Sequence, residues 1–110
     1  MCCQRVHLGW VTAASATQLM RARFSAFSVG DPAYLLRSWH ASTRPSSLAL
    51  DRDQKWTELE LLGSTAGGLF DSTGTVEFRA HFTIDGRPDF LAENSRFIRA
   101  DGAWSYLDAV

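Results

Sequence analysis

The chain opens MCCQRVHLGW, and its only two cysteines are the adjacent pair Cys2 and Cys3. Thiolates bind soft metals, and a closed structural zinc site takes four ligands. This stretch offers two thiolates and at best His7. No cofactor is therefore expected for this chain, and zinc would need further ligands from outside the sequence or from another chain. The flanking residues supply no electropositive setting that would lower a thiol pKa. Neighbouring cysteines also cannot staple distant segments together.

A second group of residues could carry acid–base or binding chemistry. His40 follows Trp39 at the end of a predicted helix, where an imidazolium interacts favourably with the helix C-terminus. Its ordinary pKa equally suits a proton carrier at the mouth of a pocket. Glu93 and Ser95 share a strand face with Leu91 and Phe97, so packing of that face takes a carboxylate and a hydroxyl inside. A buried carboxylate needs a partner. Arg96 lies on the opposite face of the same strand, which leaves Arg21 or Arg23 from the first helix. The result is either a structural ion pair or a polar pocket wall. Trp104, Tyr106 and Asp108 also share a face by alternation. There Asp108 could orient His40 or a ligand, or simply end the strand. Trp39, His40, Glu93, Ser95, Tyr106 and Asp108 are thus the pocket candidates, and none has a nucleophile, base and orienting group in sequence reach.

Several function classes are excluded by what is missing. Ten arginines and one lysine stand against eight aspartates and four glutamates, for a formal charge of −1, so no excess exists to neutralise phosphates and no nucleic-acid partner is expected. The four tryptophans lack interleaved basic residues and read as core. Gly67-Gly68 is followed by no Gly-Lys-Ser/Thr, and neither a Gly-x-Ser-x-Gly elbow nor a His-Glu-x-x-His pair occurs. His7 and His81 read as surface residues. No apolar run is long enough for a membrane span, and the N-terminus lacks a signal-peptide pattern, so the expected location is cytoplasmic.

These side chains must be positioned by one domain, since 110 residues cannot divide into two adequate cores. Ser15, with Gln18 three residues on, marks a helix start, and Gly30 marks its end. Ala16, Met20, Phe24 and Phe27 recur on one face of that helix. Asp31-Pro32 opens a second helix whose Leu35, Leu36 and Trp39 point to the same interior. After the irregular STRPSSLALDRDQ connection the period changes to two. Strands are predicted over 56–62, 75–84, 90–99 and 104–108. The clearest is the second, where Val76, Phe78, Ala80, Phe82 and Ile84 alternate with polar residues. Turns at Gly67-Gly68 with 71–74, at 85–88 and at Asp101-Gly102 link them into an antiparallel meander. Helices followed by strands mean an α+β fold, with the helices across one face of a curved sheet.

Three segments also resemble a known family. MRARFSAFSVGDPAYLLRSWHAST, GTVEFRAHF and ENSRFIRADGAWSYLD are similar, in this order, to the helix pair ending in Trp-His, the central strand and the terminal Ser-Arg-Phe hairpin of the YchJ-like bacterial proteins of unknown function. The likeness runs from about Ala14 to Asp108. It implies a nuclear transport factor 2-like cone, residues 13–110, in which a curved sheet wraps around helices and often holds a pocket. Family members usually carry an N-terminal SEC-C zinc motif, in which a CPCGS-like stretch is completed by a later Cys-Cys or Cys-His pair. Cys2-Cys3 falls where that later pair would be, so residues 1–12 resemble the remnant of such a segment. The implied function is a non-catalytic module whose pocket takes an unidentified small molecule or a protein partner. The alternative is a hydrolase, isomerase or dehydratase using His40 with Asp108 or Glu93. Pairing into a homodimer through the sheet face remains open, although Trp56 alternating with Glu58 and Glu60 fits it poorly.

Overall fold

A computed structural model describes residues 13–68 and 70–110. Cys2, Cys3, His7 and the whole 1–12 segment lie outside the described residues. Helix α1 spans Ala16–Val29, with Ser15 accepting at its N-cap from the Gln18 N–H. The Gln18 carboxamide reaches back to the Ala14 N–H, one residue before the cap, so the reciprocal box closes in a looser form than its sequence pattern implies. Gly30 ends α1 at φ 74, a left-handed conformation open to residues without a β-carbon. Asp31 then caps the short helix α2, Pro32–Arg37, accepting from the Tyr34 N–H.

The four strands β1 (Gln54–Ala66), β2 (Thr73–Ile84), β3 (Arg87–Ala100) and β4 (Ala103–Ala109) form one antiparallel sheet in sequence order. Each runs beyond its period-two side-chain pattern, because backbone pairing continues where the alternation fades. Asp85-Gly86 and Asp101-Gly102 are the two-residue turns, all four with positive φ, the arrangement that matches the twist of a hairpin. Arg87 and Pro88 already belong to β3, so that turn is shorter than the 85–88 expected. Helix α1 packs on the inner face against β1, β2 and β4. Between them lie Ala16, Leu19, Met20, Ala22 and Ala26 of α1 with Val76, Phe78, Ala80, Phe97 and Trp104 of the sheet. This α+β arrangement is the one the sequence predicts. No described helix is long and apolar enough to cross a membrane.

Three irregularities decide which side chains face inward. A register shift between Trp56 and Glu58, and a second between Leu61 and Gly63, each insert one residue into β1. Strict alternation would put Glu58 and Glu60 on the core face beside Trp56. The first bulge instead sets Leu59 opposite Ala80, which is buried, and Glu60 opposite Arg79 on the outer face. There Glu60 meets His81 at 3.1 Å and Arg79 at 3.8 Å. The third shift, between Arg96 and Phe97, leaves Leu107 as the extra residue in β4.

Candidate functional site

Between α1 and the inner face of the sheet lies a cavity of about 160 Å³. Met20, Arg23, Phe24 and Phe27 come from α1, where steps of three and four bring them onto one face. Trp56 of β1 closes the apolar end, with ring centroids 6.1 Å from Phe24, 5.5 Å from Phe27 and 5.1 Å from Phe82. Leu91 also lines the cavity, yet it is 48% exposed, so the inner face of β3 is left partly uncovered there.

The opposite end is polar. Ser95, fully buried, donates its hydroxyl to Oε2 of Glu93 two residues earlier on β3. The Tyr106 hydroxyl from β4 donates to the same oxygen at 3.3 Å. Burial, then the nearby Glu93 carboxylate, pushes the Tyr106 phenol up to about 12, so it stays a donor at any physiological pH. Arg23 is only 3% exposed. Its Nη1 donates to the Leu35 carbonyl at 2.9 Å and to Ser38 Oγ at 2.7 Å, tying α1 to α2. The guanidinium carbon lies 4.6 Å from the Tyr106 ring centre and 5.3 Å from that of Trp39, within the range of cation–π attraction. Burial pulls Arg23 down to about 10, against the electrostatic influence of Tyr106, Tyr34 and Glu93. It remains a cation at neutral pH.

Trp39 reaches this site through a device the sequence does not announce. Beyond α2 the chain forms a parallel bridge from Trp39 to Tyr106. The Tyr106 N–H donates to the Ser38 carbonyl at 2.8 Å, and the His40 N–H donates to the Tyr106 carbonyl at 2.7 Å. The two rings then meet edge to face at 5.1 Å.

Of the pocket candidates, Trp39, Glu93, Ser95 and Tyr106 line the one cavity together. His40 and Asp108 do not. The His40 Nδ1 accepts from the Ser42 N–H at 3.2 Å, and the Ser42 hydroxyl lies 2.7 Å from the same nitrogen, so the ring is occupied in the connection after α2. Asp108 is held by a two-pronged pair with Arg96, at 2.6 Å on each prong. Because Leu107 is the bulged residue, Tyr106 pairs with Phe97 and Asp108 with Arg96, and these two sites lie on opposite faces. Strict alternation from Trp104 therefore misplaces Asp108. The ion-pair candidates also separate: Arg21 is exposed, whereas Arg23 enters the site beside Glu93. Arg23 bonds the Leu35 carbonyl and Ser38 rather than forming a direct bridge to that carboxylate. Among the described residues, no group of three or more His, Cys, Asp or Glu side chains could hold a metal ion.

From the residues alone Arg23 reads only as a counterion, and Ser38 does not stand out. A sign of the first was present: Arg23 stands four residues from Leu19 and from Phe27 and three from Met20, squarely on the apolar stripe. Ser38 has no such local sign, since its role depends on where α1 crosses α2.

Comparison with known proteins agrees with this architecture. Residues 15–109 match the family profile described as YchJ, middle NTF2-like domain. The UPF0225 protein SCO1677 of Streptomyces coelicolor is 50% identical over 107 residues, covering 97% of this chain and 83% of the relative. That of Corynebacterium glutamicum, Cgl1438/cg1626, is 47% identical over 105 residues, with 96% and 83% covered. Among solved structures, the SEC-C motif containing protein RPA3114 of Rhodopseudomonas palustris superposes with a TM-score of 0.84 at 30% identity, covering 99% of this chain and 88% of its own. A SEC-C motif containing protein from Psychrobacter arcticus gives 0.79 at 28% identity, with 97% and 68% covered. Matched by the profile from residue 15 to residue 109 and half identical to a relative across nearly all its length, this chain belongs to the YchJ family and carries its middle NTF2-like domain.

Proposed function

We propose that the domain is a non-catalytic module that binds a small molecule in the cavity between α1 and the inner face of the sheet. The observation that carries this reading is the cavity's construction. A wall of aromatic rings meets a single carboxylate whose second oxygen, Oε1, accepts from no described residue. Its volume of about 160 Å³ compares with the engineered cavity of about 150 Å³ that takes up benzene in another protein. His40 and Asp108 are each engaged elsewhere, so among the described residues no base stands beside Glu93 with a group to orient it, which favours binding over reaction.

The test uses benzene as a probe of the cavity, followed by amide NMR on the 110-residue chain. Saturable shifts are expected at Phe24, Trp56, Leu91 and Tyr106. Absence of saturable shifts at millimolar probe, or shifts confined to the outer face around His81 and Phe90, would overturn the reading.

A further inference from the structure

The polar end of the cavity has two unequal halves, and their hydrogen-bond inventory restricts what can fill it. A guanidinium carries five N–H donors. Both hydrogens of Arg23 Nη1 are committed to Leu35 and Ser38. Nε and Nη2 donate to no described residue, although the side chain is 3% exposed and lines the cavity. On the other side, both hydroxyls, from Ser95 and Tyr106, converge on Oε2 of Glu93 and leave Oε1 without a donor among the described residues. The wall therefore offers a cationic donor edge and an anionic acceptor, and the two charges balance.

A charged ligand would upset this balance. A carboxylate reaching Arg23 is brought against Glu93, and an ammonium reaching Glu93 is brought against Arg23. Either leaves one wall charge poorly compensated in a small, mostly apolar space, where such an imbalance is costly. A neutral group that both accepts and donates satisfies the two halves at once. The remaining space, lined on its apolar side by Phe24, Phe27 and Trp56, suits a flat ring packed against their exposed edges and faces. The volume admits one six-membered ring with a short substituent.

Resting on the reading of the cavity as a binding site, we infer that its ligand class is a neutral single-ring aromatic molecule with one group that accepts from Arg23 and donates to Glu93 Oε1, such as a primary carboxamide. The carbonyl oxygen faces the guanidinium edge, and the amide N–H faces the carboxylate.

Three molecules of nearly the same shape separate the possibilities: benzamide, benzoate and benzylammonium, titrated at neutral pH into the unmodified chain and followed by amide NMR, with benzene as the apolar reference. Benzamide is expected to bind at least tenfold more tightly than either charged probe and than benzene, with shifts at Arg23, Glu93 and Tyr106. In Glu93→Gln, the donor hydroxyls hold the amide oxygen and the new N–H₂ faces the cavity, so preference moves from benzamide toward benzoate. Should benzoate or benzylammonium match benzamide in the parent chain, or benzamide bind no better than benzene, the ligand class is wrong while the cavity reading stands. Should no probe, benzene included, enter the cavity, both readings fall together. The comparison within the parent chain decides the matter even where Glu93→Gln fails to fold.

Discussion

The guanidinium of Arg23 rests 4.6 Å from the centre of the Tyr106 ring, and the hydroxyl at the far end of that ring reaches Glu93 at 3.3 Å. Cation, ring and carboxylate thus form a chain in which α1 is joined to β4 and then to β3. The carboxylate is not in direct contact with the cation, so each can engage a further partner. Direct bridging would have sealed the site. The interposed ring keeps the two charges close enough to balance while leaving a donor edge and an acceptor on the cavity wall.

Arg23→Lys tests the planar fork. An ammonium retains the charge, but as a compact point it cannot serve the Leu35 carbonyl and Ser38 Oγ while lying flat on two rings. With hydrogen bonds to charged groups worth about 1.5–3 kcal/mol each, losing one of these bonds predicts a cost of about 2 kcal/mol. Urea unfolding followed by circular dichroism measures it. A change within about 0.5 kcal/mol of the parent, the range of ordinary surface substitutions, would show that the fork is not what fastens α1 to α2.

The alkaline behaviour of Tyr106 gives a second expectation. Its folded pKa is raised from 10.0 to about 12, mainly by burial and then by Glu93. A raised value means that the folded form holds its proton more tightly than the unfolded chain. That contribution is complete below pH 10.0 and is lost as pH rises toward about 12. Arg23, lowered to about 10, contributes the opposite slope over the same range. The contribution of Tyr106 is therefore best isolated by comparing the parent with Tyr106→Phe. The parent's stability relative to that variant should decline steadily through the window, and the tyrosinate absorbance missing from the variant should belong to the late-titrating phenol. If the missing absorbance instead develops at an ordinary phenol pH, Tyr106 is not shielded as described.

Which parts of this arrangement could be read from the residues follows from how local their causes are. Ser15, Gly30 and Asp31-Pro32 act within one turn of the chain, and the alternation in β2 is a property of β2 alone. All of these were legible. The grouping of Glu93 with Ser95 was legible for the same reason, since two residues on one strand share a face whatever its partner. The fate of Asp108 was not, because a bulge at Leu107 exists only in the pairing of β4 with β3. The same holds for Glu58 and Glu60, whose apparent place beside Trp56 is corrected by an extra residue in β1. Trp39 meets Tyr106 through a bridge between segments far apart in sequence, and no local period encodes it.

Asp108 provides a third expectation, this time in acid. The hydrogen bonds from the Arg96 guanidinium hold its carboxyl below the ordinary carboxylate range. A lowered folded pKa means that the stabilisation is present above the unfolded value and is lost as pH falls through the folded one. Both groups are exposed to solvent and screened by salt, so the effect on stability is small. Carboxyl ¹³C titration should find Asp108 among the most acidic aspartates of the chain, moving toward the ordinary range at high salt. Asp108→Asn should leave benzene uptake unchanged. A loss of probe binding in this variant would instead place Asp108 in the site, contrary to its position on the outer face.

The glycines where β1 passes into β2 give the final expectation. A β-carbon on Gly74 would stand 2.5 Å from the Gly67 α-carbon and 2.7 Å from its nitrogen. Backbone occupies that space, and it cannot rotate aside as a side chain can. Gly67 is itself fixed, its carbonyl accepting from the Ala16 N–H at the start of α1 and its N–H donating to the Thr73 carbonyl, both at 3.0 Å. Forcing the two strands apart at Gly74 would therefore pull on the first turn of the helix that roofs the cavity. Gly102 is a useful contrast, because its φ is 80 but nothing lies within 4 Å of an added β-carbon. There an alanine meets only the left-handed backbone penalty of about 1–2 kcal/mol. Gly74 is not left-handed, so Gly74→Ala meets overpacking instead of that penalty, typically about 1–3 kcal/mol and more where the neighbours are rigid, as backbone is. Gly74→Ala should thus destabilise the domain more than Gly102→Ala in thermal unfolding, and it should broaden the amide signals of Ala16 and Gly67. The reverse order of stabilities would mean that the close approach of Gly74 to Gly67 is not what sets the α1 start against the sheet.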